Sequence, residues 1–522
     1  MERTGMEKQA RRIVGRQGGT ISRPLHPESS ERFNLAYVRT GPRTQLPTLV
    51  LPGGPGLASV VPYRSFRKLA ARRNLDLLMV EHRGVGLSGR TQDGAALPRE
   101  SVTIESAADD VVAVLDDVGA KKAVIVGSSY GSYLAQAVAV RHPDRVESLV
   151  LDSPMLSVTG DLAAVRAHRR SVLWEGDSPA HGRVAELVRH LADAGEPMRA
   201  LGQVVQVVYE FAGPEILERL LRARLRGRLG RLWSSLTHLS TGELEGAGTP
   251  FYMEPAPVAG IAYGQLGYGL PPDGGPLDPQ LTFAEAAVRQ PDYTGEPLDL
   301  PAELPNYRWP TVVVSGDRDL RTPRPVAERI VELAPQGVLV PLANSGHSAL
   351  DTHQLALLDV IHATLRGGVD SAAHDGEPNC SVASQGGLEA RRDSADRCCP
   401  GDDETVALTS RCRRSHLARA SFNSFFRLAS TRPWVIRGGT ASDAYCRVLR
   451  QPCGVGLWST SSRTQMRCFI DLGGAASARE LRTIPPGRVP PRTRRVGTTG
   501  LGQTGLRNQG SSRELLPILP TC

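Results

Sequence analysis

Cysteine is missing from this chain until position 380, and all eight cysteines lie between Cys380 and Cys522. Whatever the body of the protein does, it does without thiols. No HExxH pattern or comparable ligand cluster occurs there either, which disfavours metal chemistry, so no metal and no cofactor is expected. Long apolar runs are also missing. No stretch approaches the roughly 20 residues needed to cross a bilayer, and the opening MERTGMEKQARRIVGRQ has no apolar core of a secretion signal. The expectation is a soluble, cytoplasmic protein with no membrane association.

Lysine is what the other end lacks. From Gly367 to Cys522 there are 22 Arg, no Lys and 13 acidic residues, a net charge of +9, whereas the preceding residues carry 40 basic and 41 acidic residues, a net of −1. The basic balance belongs to the tail and says nothing of the body's partners. The tail is rich in Gly, Ser, Pro and Arg without a sustained apolar period, so it lacks the means to bury a core. A solvated tail, a nucleic-acid-binding arm and translation in a shifted reading frame are the readings it allows, and the abrupt change of cysteine and lysine usage favours the last. Its scattered arginines and few aromatics speak against nucleic acid, and Cys398-Cys399 and the other spacings lack the paired intervals of a zinc site.

At 522 residues the chain exceeds what one core usually supports. The expected division is an N-terminal extension over 1–30, a first core part over 31–154, a helical insertion over 155–305, a second core part over 306–366, and the low-order tail over 367–522. Short apolar runs that read as strands (Phe33 to Arg39, Thr48 to Leu51, Leu75 to Val80, Ala123 to Val126, Arg145 to Leu151) alternate with helical patterns such as Ile104 to Val118. That alternation predicts an α/β fold, a mostly parallel sheet flanked by helices with ligands at the carboxyl ends of its strands. From Ser153 to about Pro305 amphipathic helical stretches replace strands (Arg183 to Leu191, Met198 to Phe211, Ile216 to Leu229), reading as a cap over the site or as a separate helical domain. The sheet resumes with Pro310 to Ser315 and Val338 to Leu342, and the helix Gln354 to Leu365 closes it.

The chemistry gathers at strand ends. In Gly127-x-Ser129-x-Gly131 an apolar strand, a small-residue turn and a helix meet, as a nucleophile at a strained strand-to-helix corner requires. The loop Pro52-Gly53-Gly54-Pro55-Gly56 follows a strand directly and lets bare backbone approach a ligand. After the serine come strand-end acids, Asp317 and Asp319 in GDRD, and then His347 in NSGHS. Serine needs a base, and the base needs a carboxylate to hold its tautomer. The order serine, acid, histidine is that of the α/β-hydrolase fold. His82 also could serve as a base but precedes the serine, so it reads as structural.

In these residues the sequence resembles the proline iminopeptidase (prolyl aminopeptidase) group of α/β hydrolases over most of Phe33 to Leu365, least through the insertion. LPGGPG resembles the group's HGGPG loop with Pro52 in place of His. EHRGVGLS resembles DQRGxGxS with Glu81-His82 in place of Asp-Gln, GSSYGS resembles the GGSWGS elbow, and GDRD and NSGHS resemble its GxxD turn and GH loop. The resemblance implies Ser129 as nucleophile, His347 as base and Asp319, rather than Asp317, as its acid. It further implies an oxyanion hole from the backbone N–H groups of Tyr130 and Gly54. Acidic residues of the insertion bind a peptide's amino terminus in that group, which makes Glu215 and Glu254 candidates, each also readable as an ordinary surface acid.

The resemblance implies removal of N-terminal residues, proline among them, from small peptides through an acyl-enzyme. A carboxylesterase acting on small esters shares the same frame. A non-catalytic binding protein on a hydrolase scaffold is the reading from another class, against which the complete set of three side chains speaks. Oligomeric state is left open.

Overall fold

The computed structural model describes residues 5–239 and 248–367. The readings of the basic tail, from a solvated arm to out-of-frame translation, lie outside the described residues.

Eight strands form one sheet: β1 (Gly18–Pro24), β2 (Arg32–Thr40), β3 (Thr48–Leu51), β4 (Leu77–Val80), β5 (Ala123–Ser128), β6 (Val146–Asp152), β7 (Thr311–Gly316) and β8 (Gly337–Leu342), in the spatial order β1-β2-β4-β3-β5-β6-β7-β8. The first two pairings, β1 with β2 and β2 with β4, are antiparallel, and the rest are parallel. Strands β3, β4, β5 and β7 are buried along their whole length. That explains why they read as unbroken apolar runs rather than as alternation: helices cover both faces of a parallel sheet.

The helices are α1 (Gly5–Gln17), α2 (Arg64–Arg72), α3 (Ile104–Asp117), α4 (Tyr130–Arg141), α5 (Val158–Arg170), α6 (Pro179–Asp193), α7 (Met198–Ala212), α8 (Pro214–Leu225), α9 (Gly230–His238), α10 (Arg324–Leu333) and α11 (Gln354–Leu365), with shorter turns between them. Along β5 the side chains part to two cores. Ile125 packs with Val111 and Leu115 of α3, Leu134 and Val138 of α4 and Ile330 of α10. Val124 and Val126 pack on the other face with Phe66 of α2, Ile13 of α1 and Leu357 and Ile361 of α11. Each such fully buried aliphatic side chain contributes about 1.5–3 kcal/mol of transfer free energy. Helix α3 starts where the sequence says it should, with the Thr103 hydroxyl accepting from the N–H of Ser106 at 3.2 Å, and it stops before Gly119 at φ +70°.

Helices α5 to α9 lie between β6 and β7 and carry a hydrophobic cluster of their own, including Val188, Leu201, Val205, Leu217, Leu221 and Trp233. Leu320, from the loop after β7, belongs to that cluster. The insertion therefore packs on a loop at the carboxyl end of the sheet. Two elements lie within the N-terminal extension over 1–30: α1 and β1 are both formed, and β1 pairs along its length with β2, Gly18 facing Val38 and Pro24 facing Arg32.

Candidate active site

Ser129 sits between the last residue of β5 and the first of α4, at φ +53° and ψ −124°. A non-glycine residue held there is strained, and the surroundings show what holds it. Its N–H donates to the Asp152 carbonyl at 2.9 Å. A Cβ on Gly127 would lie 2.2 Å from the Gly131 carbonyl oxygen, and one on Gly131 would lie 2.1 Å from that of Leu51. The two glycines of the pentapeptide are thus required by close approach of three backbone segments. Gly53, in the loop after β3, lies over the serine, since a Cβ there would meet the Ser129 Cβ at 3.1 Å.

The structure brings Ser129, Asp319 and His347 together. The His347 Nε2 is 2.9 Å from the Ser129 Oγ, and its Nδ1 is 3.1 and 3.0 Å from the two Asp319 carboxylate oxygens. Asp319 also accepts from the N–H groups of Arg321 and Thr322, both at 2.9 Å, and from the Thr322 hydroxyl at 3.0 Å. Burial alone would raise the Asp319 pKa, but the His347 charge and hydrogen bond, with these backbone donors, bring it down to about 2. An ionised carboxylate can only accept, so Nδ1 carries the proton and Nε2 presents its lone pair to the serine hydroxyl. For His347 burial opposes protonation, yet the adjoining Asp319 carboxylate more than offsets it and raises the imidazole above its ordinary value. Such a set can take a proton from a hydroxyl and stabilise the imidazolium that results.

The two rival residues lie elsewhere. Asp317 is exposed and accepts from the N–H groups of Asn344 and Ser345, at 2.9 and 3.1 Å. His82 donates from Nδ1 to the Arg83 carbonyl at 2.6 Å, which leaves its Nε2 to accept from the Tyr130 hydroxyl at 2.9 Å. Burial pushes His82 down to about 4, so it is neutral at pH 7.

Tyr130 opens α4, and its N–H has no carbonyl four residues back within the helix. Gly54 stands at φ +124° in the turn over the serine, and its carbonyl accepts from the Tyr268 hydroxyl at 3.1 Å. The segment after β4 braces this turn. Glu81 Oε2 accepts from the N–H groups of Ser59 and Val60, at 2.6 and 2.9 Å, and burial lifts its carboxyl to about 7. Arg83 forms a fully buried pair with Asp110 at 2.7 Å and donates to the carbonyls of Leu25 and Ser101.

Of the two insertion acids, Glu215 is exposed in the first turn of α8. Glu254 is half-buried; its carboxylate accepts from the N–H groups of Gly86 and Phe251, and its own N–H donates to the Gly56 carbonyl at 2.9 Å. It ties the insertion to the glycine loop. Two other acids escaped the sequence reading. Glu210 of α7 is buried, accepts from the Leu320 N–H at 3.2 Å, and pairs with Arg321 at 3.1 Å, directly after Asp319. A Cβ on Gly346 would lie 2.8 Å from the Glu210 Cβ, so this one residue touches both the acid loop and the histidine loop. Asp152, ending β6, accepts from the Ser128 hydroxyl at 2.7 Å and from the N–H groups of Ala349 and Leu350 at 2.9 and 3.0 Å, and burial pushes it up to about 6. The Ser348 N–H donates to the Ser153 hydroxyl at 2.9 Å, so His347 is held from its C-terminal side by the ends of β5 and β6. Polar residues directly after an apolar strand were the available signal for Asp152 and Ser153. Among the described residues no group of three or more His, Cys, Asp or Glu is placed to hold a metal, and no helix is long and apolar enough to cross a membrane.

Residues 47–183 match the family model described as the alpha/beta hydrolase fold. A candidate carbamate hydrolase, RutD, of Caulobacter sp. (strain K31) is 24% identical over 190 residues, 36% of this chain and 68% of that protein. The 2-hydroxymuconate semialdehyde hydrolase of Pseudomonas putida is 32% identical over 134 residues, 24% of this chain and 44% of that protein. The proline iminopeptidase of Neisseria gonorrhoeae is 30% identical over 134 residues, 25% of this chain and 41% of that protein. The chain spans under half the length of the latter two. With its eight-stranded, mostly parallel sheet, its serine at the strand-to-helix corner and this match, the chain has the α/β-hydrolase fold.

Proposed function

We propose that the protein is a serine hydrolase that works through an acyl-enzyme, with Ser129 as nucleophile, His347 as general base and then acid, and Asp319 fixing the histidine tautomer. The single observation that carries this is the chain of contacts Ser129 Oγ to His347 Nε2 at 2.9 Å and His347 Nδ1 to Asp319 at 3.0 Å, around a serine at φ +53°. As the Ser129 Oγ attacks a carbonyl carbon, its proton passes to Nε2 and negative charge collects on the carbonyl oxygen. The backbone N–H groups of Tyr130 and Gly54 are assigned to that oxygen. Collapse expels the leaving group, which takes the proton from His347, and a water then enters by the same route to release the acyl group.

For the substrate, the proposal is an aminopeptidase that releases N-terminal residues such as proline, with helices α5 to α9 as a cap. Its support is the glycine-proline loop, the GSSYGS elbow and the kinship with a proline iminopeptidase. A second reading, a carboxylesterase for small esters, is favoured by the state of the acids. Glu254 is occupied by backbone N–H groups and Glu210 by Arg321, which leaves less carboxylate to receive a substrate ammonium. Turnover of proline arylamide compared with that of a p-nitrophenyl ester separates the two. Strong ester turnover with no arylamide cleavage sinks the aminopeptidase, and cleavage of neither by folded protein sinks both.

A further inference from the structure

A cleft of about 280 Å³ opens between the C-terminal end of α1, the turn after β2 and one face of α2. Its walls carry Arg16, Arg39, Arg43, Arg64, Arg67 and Lys68, and no carboxylate. On α2 the residues are three and four apart, so they share one face of the helix. Thr40, also in the cleft wall, pairs with Leu77 at the beginning of β4, so this cleft lies where parallel strands start, at the end of the sheet away from Ser129.

The charges there are not balanced from within. Asp76 is consumed by Arg39, which donates from Nε and Nη2 to its two oxygens at 2.8 and 2.6 Å, and by the N–H and hydroxyl of Thr44. Arg16, Arg43, Arg64 and Lys68 form no ion pair among the described residues, and all four are exposed. Arg67 is 1% exposed and gives its two Nη groups to the carbonyls of Ser59 and Val60, but its Nε has no partner. Burial, with the charge of Arg64 adding to it and that of Glu81 opposing, pushes the Arg67 guanidinium down to about 10. A protein rarely concentrates buried and exposed guanidinium groups in one concavity without something to neutralise them.

We propose that this cleft is a binding site for a phosphate-bearing anion carrying at least two negative charges. A single carboxylate would neutralise one cation and leave the rest facing each other. A phosphate offers three oxygens in a geometry that the planar guanidinium fork matches in pairs, and the predominance of arginine over lysine fits that ligand better than a diffuse counter-ion. The phosphate can belong to a soluble metabolite or to a lipid headgroup.

The test uses the full chain at low ionic strength, with inorganic pyrophosphate followed by calorimetry and vesicles containing phosphatidic acid, a phosphate monoester, followed by flotation. The comparison protein is the double variant Arg43→Gln, Arg64→Gln, which alters exposed side chains far from Ser129. The expected result is saturable one-site binding of pyrophosphate that weakens at least tenfold in the variant and with added salt, while modification of Ser129 is unchanged. Vesicle binding lost in the variant, without pyrophosphate binding, would assign the site to a lipid headgroup. If the double variant does not fold, Lys68→Gln alone is expected to weaken binding about threefold. The arginines beyond the described residues are common to all these proteins. Equal binding of both probes by wild type and variants, or binding of neither probe by the wild type, overturns the proposal.

Discussion

Asp317 and Asp319 stand two residues apart at the end of β7 and serve different loops: Asp319 meets the His347 ring at 3.0 Å, whereas Asp317 accepts from the backbone of Asn344 and Ser345. Asp319→Asn is therefore expected to lower kcat by roughly 10³- to 10⁴-fold, since an amide at this place favours the wrong imidazole tautomer. Asp317→Asn should leave kcat within a few-fold and cost about 0.5–1.5 kcal/mol of stability through one weakened loop hydrogen bond. Steady-state kinetics with urea denaturation of both variants checks the pair.

The same ion pair sets opposite pH windows for activity and stability. His347 must be neutral to accept the serine proton, so kcat/KM should rise with pH and reach half its maximum above the ordinary imidazole value of about 6.5. Its raised pKa contributes stability that is complete below about 6.5 and is lost as pH rises through the folded value. The depressed Asp319 contributes stability that is present above about 3.9 and lost as pH falls toward about 2. Denaturation at pH 5 and pH 9 should show a larger gap between wild type and Asp319→Asn at pH 5.

Gly131→Ala places a methyl group 2.1 Å from the Leu51 carbonyl oxygen and 2.6 Å from that of Pro52, both backbone. The expected cost is at least about 1–3 kcal/mol, with loss of activity as the serine corner shifts. Gly202→Ala, inside α7 with nothing within 4 Å of the added carbon, should instead stabilise by about 0.4–1 kcal/mol. Denaturation midpoints of the two variants decide whether close approach or general intolerance of alanine is responsible.

Tyr130 is assigned to catalysis through its backbone and to structure through its ring. Tyr130→Phe removes the hydroxyl that donates to His82 at 2.9 Å, and is expected to cost about 1 kcal/mol while changing kcat less than tenfold. A much larger fall in kcat at unchanged KM would move the hydroxyl itself into the reaction.

What could be read in advance follows from where the information lies. The corner at Ser129 was legible because close backbone contacts force glycine at fixed spacing, and strands such as β3 and β7 because two-sided burial demands apolar runs. Strand β1 was not, because GGTISRP has no alternating apolar face and is held by pairing with β2 through backbone groups that any residue supplies. Helix α1 buries only Ala10, Ile13 and Val14 in thirteen residues, too few to mark a face. Glu210 and Asp152 were harder to read for another reason: apart from Ser128, which also bonds Asp152, the partners described for their carboxylates lie 110 to 198 positions away in the chain, so the fold is what gives each buried acid its role.

Ser129 as nucleophile is tested by treating the folded protein with a fluorophosphonate and locating the adduct by peptide mass spectrometry. One adduct is expected, on the peptide containing Ser129, which disappears in Ser129→Ala and forms far more slowly in Asp319→Asn. A folded protein that stays unlabelled, or that carries the adduct on another residue, would contradict it.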